Sequence, residues 1–162
     1  MIECKRLQQL FIYNPTTGIL VRRISRGGMA SGEEVGCKSK NGALIVRVDY
    51  EIHYVHRVVF AMHYGRWPNS QIDHINGIPN DNRIENLREA TASQNSSNRR
   101  KSTRNTTGYK GVSFSKKTGK WRASICVKRK LIEIGAFSTP EEAHEAYAKE
   151  AKRLHGEFAR LE

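Results

Sequence analysis

Apolar residues in this chain fall into short runs separated by polar, glycine-bearing gaps. Leu10-Phe11-Ile12-Tyr13 and Ile19-Leu20-Val21 flank Asn14-Pro15-Thr16-Thr17-Gly18, so residues 7–24 predict a β-hairpin. Cys37 to Val48 reads as a second strand pair turning at Asn41-Gly42. Val55, Val58, Val59, Met62 and His63 recur at three- and four-residue spacing, which predicts a helix over residues 54–64 closed by Gly65. Gln71 to Ile75 is a short strand, Asn76-Gly77 a tight turn, Pro79 to Asn82 a polar loop and Ile84 to Arg88 a strand or extended segment. Thr91 and Gln94 form a capping box that starts a helix.

After a serine-, threonine- and arginine-rich stretch at 99–107, three strands are predicted: 109–115, 120–127 and 131–137. Thr118-Gly119 and Lys128-Arg129-Lys130 supply their turns. Thr139-Pro140-Glu141-Glu142 opens a helix with a capping hydroxyl, a first-turn proline and two carboxylates at the positive end of the dipole. Ala143, Tyr147, Ala151 and Leu154 make its apolar stripe, and Gly156 stops it. The expected class is α+β: a β-rich segment and a strand–strand–helix motif, then a three-stranded antiparallel sheet packed on one helix.

Charge changes the picture. The net charge is +12 over 162 residues, and it is uneven. Residues 1–98 carry 12 basic and 9 acidic side chains, residues 99–162 carry 16 and 7, and none of the acidic ones lies between Arg99 and Lys130. Such a field favours a polyanionic partner. A one-sign run interleaved with Tyr109, Phe114 and Trp121 reads as a phosphate-tracking surface. A hydrophobic fraction of 38% implies a modest core. No apolar run approaches the roughly 20 residues of a bilayer span, and the polar start Met1-Ile2-Glu3-Cys4-Lys5-Arg6 is no signal segment. The expectation is a soluble protein of the cytoplasm, in a bacterial or phage-infected host cell, without membrane or small-molecule partners. Cys4, Cys37 and Cys126 are too far apart for a paired-cysteine zinc site and read as reduced thiols.

Candidate chemistry sits in Gln71-Ile72-Asp73-His74-Ile75-Asn76-Gly77, followed by Asn80, Asn82, Glu85-Asn86-Leu87 and Ser93-Gln94-Asn95. Hydrolysis of a phosphodiester needs a base for the attacking water and positive charge for the phosphate. A histidine near neutrality supplies the first and a divalent cation the second. His74 is the base candidate. Asp73 and Asn95 offer the hard oxygen donors that suit magnesium. Neighbours on a regular strand point to opposite faces, so Asp73 and His74 reach one phosphate only where the strand ends or bulges.

These residues resemble the HNH nuclease family in its phage and intron-encoded homing-endonuclease branch. The match runs in order through His56-Arg57, Asp-His-Ile-Asn-Gly at 73–77, Asn-Arg-Ile-Glu-Asn-Leu-Arg at 82–88 and Ser-Gln-Asn at 93–95. The resemblance implies a ββα-metal motif. His74 would be the general base, Asn86 would hold it through the backbone or the loop, and Asp73 and Asn95 would bind Mg²⁺, with Mn²⁺ as a substitute. Asn95 stands where many members have a histidine, which weakens the metal site more than it alters the reaction. Arg57 and Arg83 are phosphate-contact candidates, and Asn80 and Asn82 are expected to shape the loop.

Residues 108–156 resemble the ethylene-response-factor (APETALA-type) DNA-binding domain through Tyr109-Lys110-Gly111-Val112, Lys120 to Ile125, Gly135-Ala136-Phe137, Glu141-Glu142-Ala143, Ala146-Tyr147 and Gly156. The resemblance implies a sheet laid in the major groove of double-stranded DNA, where arginine reads guanine. The implied contacts are Trp121 and Arg122, with Lys110, Lys116, Lys120 and Lys128 on phosphates and Arg99 and Arg100 beside them. Alternation puts Trp121 and Arg122 on opposite faces, so Trp121 is equally a core candidate. The expected organisation is a nuclease domain at 1–98, a basic linker at 99–107 and a reading domain at 108–162. The expected function is site-preferring, metal-dependent DNA cleavage or nicking. The alternatives are a DNA-binding regulator without catalysis and an RNA binder, the latter disfavoured because an A-form major groove is too narrow for a sheet.

Overall fold

The computed structural model describes residues 2–25, 27–102, 105–127 and 130–161. It is a mixed α and β chain of small antiparallel sheets that divides into two compact units, Met1–Ala90 and Thr91–Glu162. The helix at 92–97, grouped with the nuclease half on the sequence, falls in the second unit.

In the first unit, α1 (Cys4–Leu10) leads into β1 (Phe11–Tyr13), which pairs with β2 (Leu20–Arg22) as the predicted hairpin. The helix was not anticipated; its signal is the three-residue spacing of Leu7 and Leu10, both buried. A three-stranded sheet follows: β3 (Cys37–Lys38), β4 (Leu44–Val48) and β5 (Glu51–Tyr54). The first pair turns where Asn41-Gly42 predicted. Strand β5 was missed because its turn has no glycine. Asp49 and Tyr50 both adopt positive φ, 41° and 74°, and the Asp49 carboxylate is anchored by Arg6 at 3.0 and 3.3 Å. Next come α2 (Val55–Tyr64), ended by Gly65 at φ 67°, and β6 (Gln71–His74) paired with β7 (Leu87–Ala90). Leu7, Phe11, Val48, Val55, Val58 and Val59 form the centre of one core. Of the strand or extended segment expected at Ile84–Arg88, Leu87 and Arg88 open β7, while Ile84–Asn86 form a 3-10 turn. The Asn86 side chain bonds to two backbone groups and needs the curled chain.

The second unit opens on α3 (Ala92–Ser97), whose predicted Thr91–Gln94 capping box is formed. Its sheet has the order β10 (Lys130–Phe137), β9 (Lys120–Val127), β8 (Val112–Ser115), packed on α4 (Pro140–His155). Val112, Ala123, Ile125, Ala143, Tyr147 and Ala151 are its buried core. Strand β8 starts three residues later than expected. Asn105 and Thr107 hold the preceding chain in a side-chain-bonded turn, and Gly111 sits at φ 75° against the Tyr147 ring, where a Cβ would come within 2.2 Å. The predicted turn residues Lys128 and Arg129 lie outside the described residues.

Lys110 closes this unit. Its ammonium donates to the carbonyls of Ser97, Arg99 and Arg160 at 3.0, 2.6 and 2.9 Å. Burial, and then the neighbouring Arg160 charge, bring its pKa down to about 8. Lys110→Met leaves those three carbonyls short of a donor. We expect it to lower stability by about 1–3 kcal/mol, read as a fall in the urea midpoint.

Candidate active site

The ribbon of β6 and β7 holds the candidates Asp73 and His74. Ile72, Leu87 and Ala90 bury its apolar positions, and the register pairs Asp73 with Arg88 and His74 with Leu87. No shift of register interrupts it, so Asp73 and His74 leave opposite faces. The expected turning of both toward one phosphate is therefore not provided by the strand itself.

Asp73 is 3% exposed, and its Oδ2 accepts from Arg88 Nε at 2.9 Å across the ribbon. His74 is surrounded differently. Its ring meets the His56 ring edge-on at 5.0 Å, and His56 stacks on Tyr54 at 5.1 Å. His74 Nε2 lies 3.3 Å from Asn82 Oδ1. An amide oxygen only accepts, so this contact suits the tautomer with its hydrogen on Nε2 and the lone pair on Nδ1. Burial lowers the His74 pKa below the ordinary histidine value, against the smaller opposing effects of Asn82, Asp73 and Asp81. Burial, His74 and Arg57 together push His56 down to about 3. Both imidazoles are thus neutral at pH 7. His56 Nδ1 and Asn82 Nδ2 are buried with no hydrogen-bond partner among the described residues.

The loop after His74 is stapled from within. Asn86 Oδ1 accepts from Asn76 N at 2.9 Å, and its Nδ2 donates to the Asp81 carbonyl at 2.8 Å. Ile75 N donates to Asn86 O at 2.9 Å and Gly77 N to His74 O at 2.8 Å. Asn76 Nδ2 donates to the Asp81 carboxylate at 2.6 Å. Arg83 grips the same carboxylate at 2.9 and 2.7 Å and holds its pKa at about 2. Asn86 thus bonds to the loop and not to the His74 ring.

The other candidates divide between the two units. Arg57 donates to the carbonyls of Ser70 and Pro68 at 2.8 and 3.2 Å, holding the chain that enters β6. Arg83 also reaches Glu85 at 3.2 Å. Asn95 is half-buried on α3 in the second unit. Arg99, Arg100, Lys116 and Lys120 are exposed. A direct phosphate contact by Lys110 would cost it one of its three carbonyls. Trp121 packs against the core under α4 and beside Phe114 at 5.0 Å, so it does not share a face with Arg122. Arg122 lies on the open face, paired with Glu133 through Nε at 2.9 Å and a second, shorter bond. Lys128 lies outside the described residues. The sequence reading made Asn82 a loop-shaping residue and missed its bond to His74. The only signal in the chain is its place in the Asn-Arg-Ile-Glu-Asn-Leu-Arg run.

Residues 53–97 match the HNH endonuclease family. The chain is also 36% identical over 90 residues to Protein 3.8 of Escherichia phage T7, covering 56% of this chain and 74% of that protein. No solved structure matches it. The chain belongs to the family of phage T7 Protein 3.8 and contains an HNH endonuclease domain.

An HNH domain implies a DNA substrate, and HNH nucleases generally use divalent metals. Among the described residues there is no group of three or more His, Cys, Asp or Glu placed to hold one. The donor types nevertheless suit a hard cation. A carboxylate has about four acceptor positions, so the Arg88 bond to Asp73 is compatible with a further ligand. Among the described residues no helix is long and apolar enough to cross a membrane.

Two outcomes follow. Asp73→Ala removes the carboxylate that the Arg88 guanidinium, 14% exposed, meets across the ribbon, and should cost about 3–5 kcal/mol in chemical denaturation. The depressed His56 pKa contributes stability that is complete above the unfolded value of about 6.5. That contribution is lost as pH falls from there toward 3. His56→Phe, which keeps a ring between Tyr54 and His74, should flatten this part of a denaturation-midpoint profile against pH.

Proposed function

We propose that this protein is a divalent-cation-dependent endonuclease that hydrolyses phosphodiester bonds in double-stranded DNA at a preferred site, nicking one strand per visit. The observation that carries the reading is the neutral His74 imidazole whose Nε2 is committed to Asn82. In this reading Nδ1 takes the proton from the attacking water. Asn86 is a positioning residue that stiffens the loop following His74. His56 stays neutral beside His74 and spares the base a like charge. Asp73 and Asn95 are the oxygen donors assigned to Mg²⁺, with Mn²⁺ as a substitute. When bound, the cation neutralises charge on the phosphate and the leaving oxygen.

The second unit is assigned to DNA binding, as its resemblance to ethylene-response-factor domains implies. Arg99, Arg100, Lys116 and Lys120 supply exposed positive charge for phosphates. Arg122 reaches a base edge once it exchanges Glu133 for DNA. The activity is assigned to the cytoplasm of an infected host cell, a reading that the similarity to a phage protein supports. Homing-type behaviour, one cut at one site, is part of the proposal.

One observation favours a second reading, a DNA-binding protein that does not cut: Asp73 is neutralised by Arg88 on the face away from His74. Supercoiled plasmid separates the two. Under the nuclease reading, Mg²⁺ yields nicked or linear product and chelator abolishes it. His74→Ala loses about 10²–10⁴-fold in rate while retaining DNA affinity in a gel shift. Tight, salt-sensitive binding with no product at any Mg²⁺ or Mn²⁺ concentration would establish the regulator.

A further inference from the structure

The N-terminal hairpin has no assigned role, yet it bears on the segment that holds His74. The Tyr13 hydroxyl, at the end of β1, donates to the Asn82 carbonyl at 2.7 Å. Ile84 N donates to the Pro15 carbonyl at 3.1 Å. Between them the turn presses directly on the loop. Gly18, at φ 76°, approaches so closely that a Cβ there would lie 2.5 Å from Arg83 N and 2.7 Å from Asn82 C. Both are backbone atoms, which a side chain cannot push aside cheaply.

The turn itself is stiff. Asn14 Oδ1 accepts from Thr16 N and Thr17 N at 3.0 and 3.2 Å. Asn14 N and Gly18 N close it onto Ile19 O and Asn14 O at 3.0 and 2.9 Å. Phe11 and Leu20 bury the hairpin in the core. Asn82 is 2% exposed and is fixed through its main chain by Tyr13, leaving its side chain to meet His74 Nε2.

We propose that the hairpin is a brace for the base: Tyr13, the Pro15 carbonyl and Gly18 are positioning elements that set Asn82, and Asn82 in turn holds His74 as its Nε2–H tautomer. The assignment rests on the reading of His74 as general base. It gives residues 11–20 a role in catalysis without contact to substrate. Without the brace Asn82 can turn its amide, and its oxygen no longer favours the hydrogen on Nε2.

The test is made on the full chain. Long-range ¹H–¹⁵N spectra of the histidine rings report the His74 tautomer directly, and plasmid cleavage reports the rate. Tyr13→Phe deletes one hydroxyl and Gly18→Ala drives a methyl into the loop; Thr16→Ala, on the exposed side of the turn, is the control. We expect one Nε2–H tautomer in the wild type and in Thr16→Ala, and a mixture in the other two. Where DNA is cut, kcat should fall on the order of 10- to 100-fold with DNA affinity unchanged. If Gly18→Ala does not fold, Tyr13→Phe decides. A wild-type tautomer in Tyr13→Phe, or Nδ1–H in the wild type, overturns the brace. A wild type that cuts no DNA sinks the nuclease reading instead, and the ring spectra still decide this one.

Discussion

A single weak-looking bond organises the first unit around its chemistry: the side-chain oxygen of Asn82 facing His74 Nε2. A histidine has two nitrogens with opposite roles in the neutral ring, and nothing in the ring itself chooses between them. Here the atom that faces the ring is an acceptor, the Asn82 amide oxygen. For that neighbour to be reliable it must not rotate, and Asn82 is held by burial, by Tyr13 and by the close approach of the hairpin turn. Much of the polar architecture between residues 75 and 86 follows from the same need, with Asp81 as the hub for Asn76, Arg83 and Asn86.

Electrostatics points the same way. The chain carries a net charge of +12, which draws a polyanion but also works against any additional positive charge. A base that entered the reaction protonated would be useless, and two adjacent imidazolium rings would repel. Burial holds both His56 and His74 neutral at pH 7. The positive charge is carried instead by lysines and arginines, and in the first unit several of the arginines are tied down: Arg57 on loop carbonyls, Arg83 on Asp81, Arg88 on Asp73.

The second unit separates structural charge from available charge. Lys110, in the middle of the basic run, spends its protons on three carbonyls, while Lys116 and Lys120 stay exposed. Arg122 stands on the open face of the sheet with Glu133 as its partner. An exposed ion pair of this kind contributes little to stability, so exchanging the carboxylate for a phosphate or a base edge costs little as well.

The chain alone determined those features that depend on near neighbours. The hairpin turn at Asn14–Gly18, both threonine capping boxes, the second strand pair and the β9–α4 module follow from hydrogen bonds and periodicities that span a few residues. The HNH motif with His74 at its centre was readable for the same reason. Tertiary structure decided what the side chains touch. Asn82 meets a ring eight positions back, and Tyr13 reaches across 69 residues to hold it. Arg88 claims Asp73 through strand register, Trp121 turns inward because α4 covers that side of the sheet, and a strand begins after Asp49-Tyr50 because Arg6 pins the turn. Such pairings are set by which surfaces are buried together, and local propensity carries no information about them.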